Sequence, residues 1–122
     1  MKNKVLLVDD HKSATHELAT LLKNNDYEVF EARDGLEGLE ALKINQDIKL
    51  VISDHYMPNM DGLTMCEKIR ESKDFGSVII FVATTEVSPE AKTRGKNLGV
   101  KAWITKPYDP ELVLKVIKQI GL

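Results

Sequence analysis

Apolar residues fall along this chain in short continuous runs that alternate with longer stretches at helical spacing. Val5 to Val8 is wholly apolar and ends in Asp9-Asp10, the pattern of a strand buried on both faces. His11 to Asn25 follows as a helix, with Ala14, Leu18, Leu21 and Leu22 at core spacing and Asn24-Asn25-Asp26 at its end. Tyr27 to Ala32 mixes apolar residues with Glu28 and Glu31 and reads as a partly exposed strand. Asp34-Gly35 opens a second helix whose inner stripe is Leu36, Leu39 and Leu42. Leu50 to Ser53 is a third strand, running into Asp54 and a Pro-containing loop. Asp61 is a plausible N-cap for a helix with Leu63, Cys66 and Ile69 inside. Ser77 to Ala83 is the most apolar run, a fourth strand, followed by Thr84-Thr85. Ser88-Pro89-Glu90 starts a weak helix, with Ala91 and Leu98 as its core residues and Gly95 inside it, at a cost of about 1 kcal/mol against Ala. Val100 to Thr105 alternates, with Val100, Ala102 and Ile104 on one side and Lys101, Trp103 and Thr105 on the other. Asp109-Pro110-Glu111 opens the last helix, whose stripe is Val113, Val116, Ile117 and Ile120.

Five strands alternating with five helices predict an α/β fold, a flavodoxin-like doubly wound parallel sheet. The first, third and fourth strands carry no charge and belong in the middle; the second and fifth suit the edges. With right-handed crossovers the simplest strand order is 2-1-3-4-5. Such a sheet places sites beyond the carboxyl ends of its strands, at the switch point between the first and third.

Totals add little. A length of 122 residues suits one domain, taken here as residues 1–122. One cysteine, Cys66, excludes an internal disulfide and fits a reducing, cytoplasmic setting. No signal peptide or membrane-spanning run is evident, so no membrane partner is expected. The net charge of −2 gives no global pull toward nucleic acid, and the Lys92, Arg94, Lys96 cluster lacks the aromatic stacking set that nucleic-acid binding would need. It reads as a solvated face or a docking site for an acidic partner surface. His11, His16 and His55 lack a metal-ligand pattern; His11 and His55 are candidates to line the site.

The strand ends carry the chemistry. The first delivers Asp9 and Asp10, the third Asp54, the fourth Thr84 and the fifth Lys106. Three close carboxylates repel, and a hard divalent cation such as Mg²⁺ relieves the repulsion. With two acids neutralised, the remaining carboxylate can act as a nucleophile toward phosphorus. The Lys106 ammonium and Thr84 hydroxyl could then align and neutralise the transferred group. Lys106-Pro107 is a candidate for a cis bond. Each residue also has a plainer reading: a helix cap for Asp9 or Asp10, a loop acid for Asp54, a strand-end hydrogen bonder for Thr84, a surface lysine for Lys106. Asp61 we assign to capping.

Four pieces in order, VLLVDD, ISDHYMPNMDG, FVATT and ITKPY, resemble the receiver domains of two-component response regulators over the whole chain, closest in plan to single-domain members. The resemblance implies that Asp54 is the phosphoacceptor. It implies that Asp9, Asp10 and Asp54 bind Mg²⁺, with Asp10 a more direct ligand than Asp9 and the Tyr56 main-chain carbonyl a further one. Thr84 and Lys106 would contact the phosphoryl group, and Thr84 with Trp103 would form the switch. The donor would be a histidine kinase or a histidine phosphotransfer domain. The output would be a protein target on the face made by the fourth helix, fifth strand and fifth helix. Trp103 stands where Tyr or Phe is more usual, and Thr85 where a smaller residue is common. Tyr56 and Glu86 occupy positions that tune hydrolysis in that family, so we expect an altered phosphate lifetime. The chain stops at Leu122 just after its last helix, which implies a stand-alone regulator or a receiver domain excised from a larger regulator or hybrid kinase.

Two other classes remain in view. A Mg²⁺-dependent phosphatase working through an aspartyl phosphate would want a second acid two residues after the nucleophile, where Tyr56 stands. A flavin or nucleotide binder would want a Gly-rich loop after the first strand, where Asp9-Asp10-His11 stands.

Overall fold

The computed structural model describes residues 2–122. Its elements run β1 (Asn3–Val8), α1 (Lys12–Asn24), β2 (Tyr27–Ala32), α2 (Gly35–Ile44), β3 (Ile48–Ser53), α3 (Gly62–Glu71), β4 (Ile79–Thr84), α4 (Pro89–Asn97), β5 (Ala102–Thr105) and α5 (Pro110–Gln119). All strand pairs are parallel, in the order β2-β1-β3-β4-β5. The fold class and strand order expected from the pattern are therefore those observed.

Each inner strand feeds two cores, because successive side chains point to opposite faces. Val5, Leu7, Leu50, Ile52, Phe81 and Ala83 pack against Leu18 and Leu22 of α1 and Val113 and Ile117 of α5. Leu6, Val8, Val51 and Ile80 pack against Leu42 of α2 and Met65, Cys66 and Ile69 of α3. Burial in that second core pushes the Cys66 thiol up to about 12, so it stays protonated and inert as a nucleophile at neutral pH.

The helix starts follow local chemistry. Asp34, Asp61, Ser88 and Asp109 each accept from a first-turn backbone N–H, so four of the five helices are capped by their own sequence. Four details differ from expectation. Leu36 is 52% exposed, because the buried face of α2 is formed by Gly35, Gly38 and Leu42. Thr15 and Ala19 are buried in α1, whereas Ala14 and Leu21 are only partly so. The fourth strand starts later and takes in Thr84, and β5 starts at Ala102. Gly95 does have a packing reason for sitting in α4: a Cβ there would approach Trp103 Cζ3 to 2.9 Å. It is also the one residue of α4 that is buried, so this helix is held by little apolar area.

Tyr27 is buried at the start of β2, and its hydroxyl has no hydrogen-bond partner among the described residues. Its ring lies 5.4 Å from the Lys118 ammonium. Removing the hydroxyl keeps the ring and that contact while abolishing an unpaired buried polar group. Tyr27→Phe is expected to raise stability by about 1 kcal/mol, measured by urea unfolding; a loss of that size would mean the hydroxyl is satisfied in solution.

Candidate functional site

The parallel ladder continues one rung past the strands and sets the site. Asp54 N donates to Val8 O at 2.9 Å, Asp9 N to Ala32 O at 3.0 Å and Lys106 N to Thr84 O at 3.0 Å. Acids from two adjacent inner strands are thereby fixed side by side, with the lysine arriving from the edge. Lys106 Nζ donates to Asp9 Oδ2 at 2.6 Å and to Asp54 Oδ2 at 2.9 Å. Asp9, Asp54 and Thr84 are buried. Burial opposes the charge on Lys106, but the two carboxylate hydrogen bonds outweigh it and hold its pKa above the ordinary lysine value. The lysine thus supplies part of the counter-charge that the acids require.

Ligand atoms of Asp9, Asp10, His11 and Asp54 all lie within 4.8 Å of one another. This donor set, three carboxylates and an imidazole against one ammonium, has net negative charge to spare and suits a divalent cation. Asp54 Oδ1 accepts from the backbone N–H groups of His55 at 2.6 Å and Tyr56 at 3.3 Å, which fixes its carboxyl plane and brings the Tyr56 peptide to the site.

The loop after β3 is held from both sides. Gly62 N donates to His55 O, and Gly35 N to Met60 O. Asn59 Nδ2 donates to Asp34 Oδ2 at 2.7 Å, and Asn59 itself has φ 67°, a left-handed conformation that Asn tolerates. Hydrogen bonds from the Glu37 backbone and the Asn59 side chain hold the Asp34 carboxyl below its ordinary range. Pro107 follows a cis peptide bond.

Thr84 and Trp103 are joined through one residue. Glu86 N donates to Thr84 Oγ1 at 3.2 Å, and Trp103 Nε1 donates to Glu86 O at 2.9 Å. The Glu86 carboxylate accepts from Ser88 N at 2.9 Å and from the Tyr56 hydroxyl, so it bridges the β4–α4 loop to the loop after Asp54. The indole is half-buried against Gly95 of α4, where the alternation of β5 had placed it on the outer side.

The sequence names His11 as a candidate to line the site, and three contacts go beyond what it showed. His11 turns Nδ1 to within 3.1 Å of both Asp9 Oδ1 and Asp10 Oδ1, although no ligand spacing marked it; its place directly after two acids was the available signal. The Tyr56–Glu86 bond joins two residues that had been singled out separately. The Asp34–Asn59 tether had no sequence signal beyond the turn chemistry of each residue.

Room at the site is limited. The space between Asp9, Ser53, Asp54, Ala83 and Tyr108 is about 10 Å³, enough for about one water. The larger hollow beside it, about 380 Å³, reaches Asp9 through Lys12, Thr15 and His16 but not Asp54 or Lys106. None of the described helices is long and apolar enough to cross a membrane.

A family model for the response regulator receiver domain matches residues 5–118. Regulatory protein VanR of Enterococcus faecium is 37% identical over 125 residues, which cover 98% of this chain and 51% of VanR. The chain thus spans about half the length of that relative. Chemotaxis protein CheY1 of Helicobacter pylori is 32% identical over 118 residues, covering 96% of this chain and 95% of that protein. The solved structure of the chemotaxis response regulator CheY4 of Vibrio cholerae superposes with a TM-score of 0.89 at 35% identity, covering 98% of this chain and 99% of that one. Sequence, sheet order and the acidic end of the sheet agree, and the chain belongs to the response regulator receiver domain family, the aspartate-phosphorylated modules of two-component signalling.

Proposed function

We propose that residues 1–122 act as one receiver unit in which Asp54 is the phosphoacceptor. The observation that carries this is the Lys106 ammonium held between Asp9 Oδ2 and Asp54 Oδ2, on a carboxylate fixed by two backbone N–H groups. A carboxylate so placed is oriented and backed by a cation, as phosphoryl transfer requires. An Asp54 oxygen attacks phosphorus, the P–O bond forms, and the P–N bond to a donor histidine breaks with protonation of the leaving imidazole. Donors of that kind are histidine kinases and histidine phosphotransfer domains. Asp9, Asp10, Asp54 and the Tyr56 carbonyl would hold Mg²⁺, which when bound would neutralise phosphoryl oxygens. Lys106 and Thr84 contact the remaining oxygens.

Output follows from the Glu86 connection. Thr84 Oγ1 now accepts from Glu86 N, and engaging the phosphoryl group draws it from that bond. The loop that holds Trp103 Nε1 is then released, and α4, with only Gly95 buried, responds to a small bias. The face formed by α4, β5 and α5 is the output surface for a protein target. The Tyr56–Glu86 bridge joins the loop after Asp54 to the β4–α4 loop, and an altered acyl phosphate lifetime is expected from it; the module assists its own phosphorylation and dephosphorylation.

Incubation with a small phosphodonor and Mg²⁺, followed by intact mass measurement, tests the assignment. One added phosphate is expected, and none in Asp54→Asn or after chelation. Asp54→Asn should retain the wild-type circular dichroism spectrum. Modification that persists in Asp54→Asn would defeat the assignment.

A further inference from the structure

The imidazole of His11 changes the chemistry of the acidic cluster. His11 is the N-cap residue of α1, yet its side chain makes no capping hydrogen bond. Instead Nδ1 lies 3.1 Å from Asp9 Oδ1 and 3.1 Å from Asp10 Oδ1. In the Nδ1–H tautomer a three-centre hydrogen bond spans both oxygens; in the Nε2–H tautomer Nδ1 is an acceptor facing two acceptors, and a shared cation is what joins the three. Donors about 2.1 Å from an octahedral ion stand about 3.0 Å apart at right angles, and the two observed separations match that spacing. Asp9 Oδ2 is turned away toward Lys106, which leaves Oδ1 on the His11 side. The other candidate nearby, His55, uses its Nδ1 to accept from Leu63 N at 3.3 Å.

We infer that His11 supplies a nitrogen ligand, giving this site a preference for borderline first-row ions, Ni²⁺, Co²⁺ and Zn²⁺, over Mg²⁺. This rests on the reading of Asp9, Asp10 and Asp54 as a cation site and adds to it. Mg²⁺ is hard and takes oxygen donors, so it gains little from imidazole, whereas the later divalent ions gain much. The consequence is a site that Ni²⁺ or Zn²⁺ at low concentration occupies in competition with Mg²⁺.

The test is calorimetric titration of the full chain with Mg²⁺, Ni²⁺ or Zn²⁺ alone, for wild type, His11→Gln and Asp10→Asn. His11→Gln is expected to leave the Mg²⁺ Kd within about twofold and to weaken Ni²⁺ and Zn²⁺ about tenfold or more, the scale on which single groups around a metal act. Asp10→Asn should weaken all three. With isotope-labelled histidine, Zn²⁺ should shift the His11 Nδ1 resonance selectively and leave His16 and His55 in place. Equal Ni²⁺ affinity in wild type and His11→Gln, or an unmoved His11 resonance, overturns the inference while the cation site stands. Indifference of every ion to Asp10→Asn overturns the cation site and the inference together.

Discussion

Lys106→Met is expected to lower the unfolding free energy by about 3 kcal/mol in metal-free buffer, and to recover much of that loss when Mg²⁺ is added. The Lys106 side chain is 14% exposed and the two acids it bridges are 5% exposed, so removing the ammonium leaves two nearly buried carboxylates facing each other. Breaking a buried pair from one side costs more than the pair contributes net, because the surviving charge stays desolvated. Met keeps the length and the apolar stem, so the deficit reports charge more than packing. Added Mg²⁺ binds the folded state alone and restores a counter-charge, which raises stability as the ion concentration passes its Kd. Asp54→Asn in the Lys106→Met background should also recover stability, since one of the two stranded charges is gone. Urea unfolding with EDTA or with Mg²⁺ measures all three. A deficit of the same size with and without Mg²⁺, and untouched by Asp54→Asn, would show that Lys106 and the ion do not serve the same carboxylates.

That charge arithmetic was legible in the letters because it rests on strand ends. A continuous apolar run ending in an acid, as in Val5 to Asp9 and Leu50 to Asp54, fixes both the burial of the strand and the height of the carboxylate. Two such runs on adjacent strands leave almost no freedom in where the acids meet. Helix caps were legible for the same local reason, as at Asp61, Ser88 and Asp109. Helix faces were less so. The inner face of α2 uses Gly35 and Gly38, whose lack of side chain lets α2 approach Met60 and Val8, and a hydrophobicity stripe cannot register a glycine used that way. Leu36 therefore looked inward and is not. The side-chain bridges were not legible at all. Whether Tyr56 reaches Glu86, or Trp103 reaches the Glu86 carbonyl, depends on where two loops from different strands end, and nothing in either loop alone encodes the separation. His11 belongs to the same class: its imidazole stays largely exposed, and the turn after Asp10 lays its Nδ1 against the two carboxylates.

Gly62→Ala should cost 3 kcal/mol or more and abolish phosphoryl acceptance although Asp54 itself is unchanged. A Cβ on Gly62 would run into the Asp54 carbonyl oxygen and stand 3.0 Å from His55 Cα, both backbone atoms that no rotamer change can move aside. Gly62 N also donates to His55 O at 2.9 Å, so the helix start is tied to the very peptide the new methyl would displace. Relief requires the loop after β3 to shift as a whole. That shift breaks the alignment of His55 N and Tyr56 N with Asp54 Oδ1, and with it the orientation of the carboxylate toward Lys106. Preorganised geometry of this kind loses its effect within about an ångström of misplacement. Gly121→Ala makes the control: its φ of 90° carries the backbone cost of a left-handed alanine, but nothing lies within 4 Å of the added methyl. Urea midpoints and phosphodonor labelling of the two variants separate the cases. A Gly62→Ala protein as stable as Gly121→Ala and still labelled at the wild-type rate would mean that the loop has slack the contacts do not show. Folded Gly62→Ala without labelling would instead assign the loss to the aim of Asp54, since every titratable group of the site is still present.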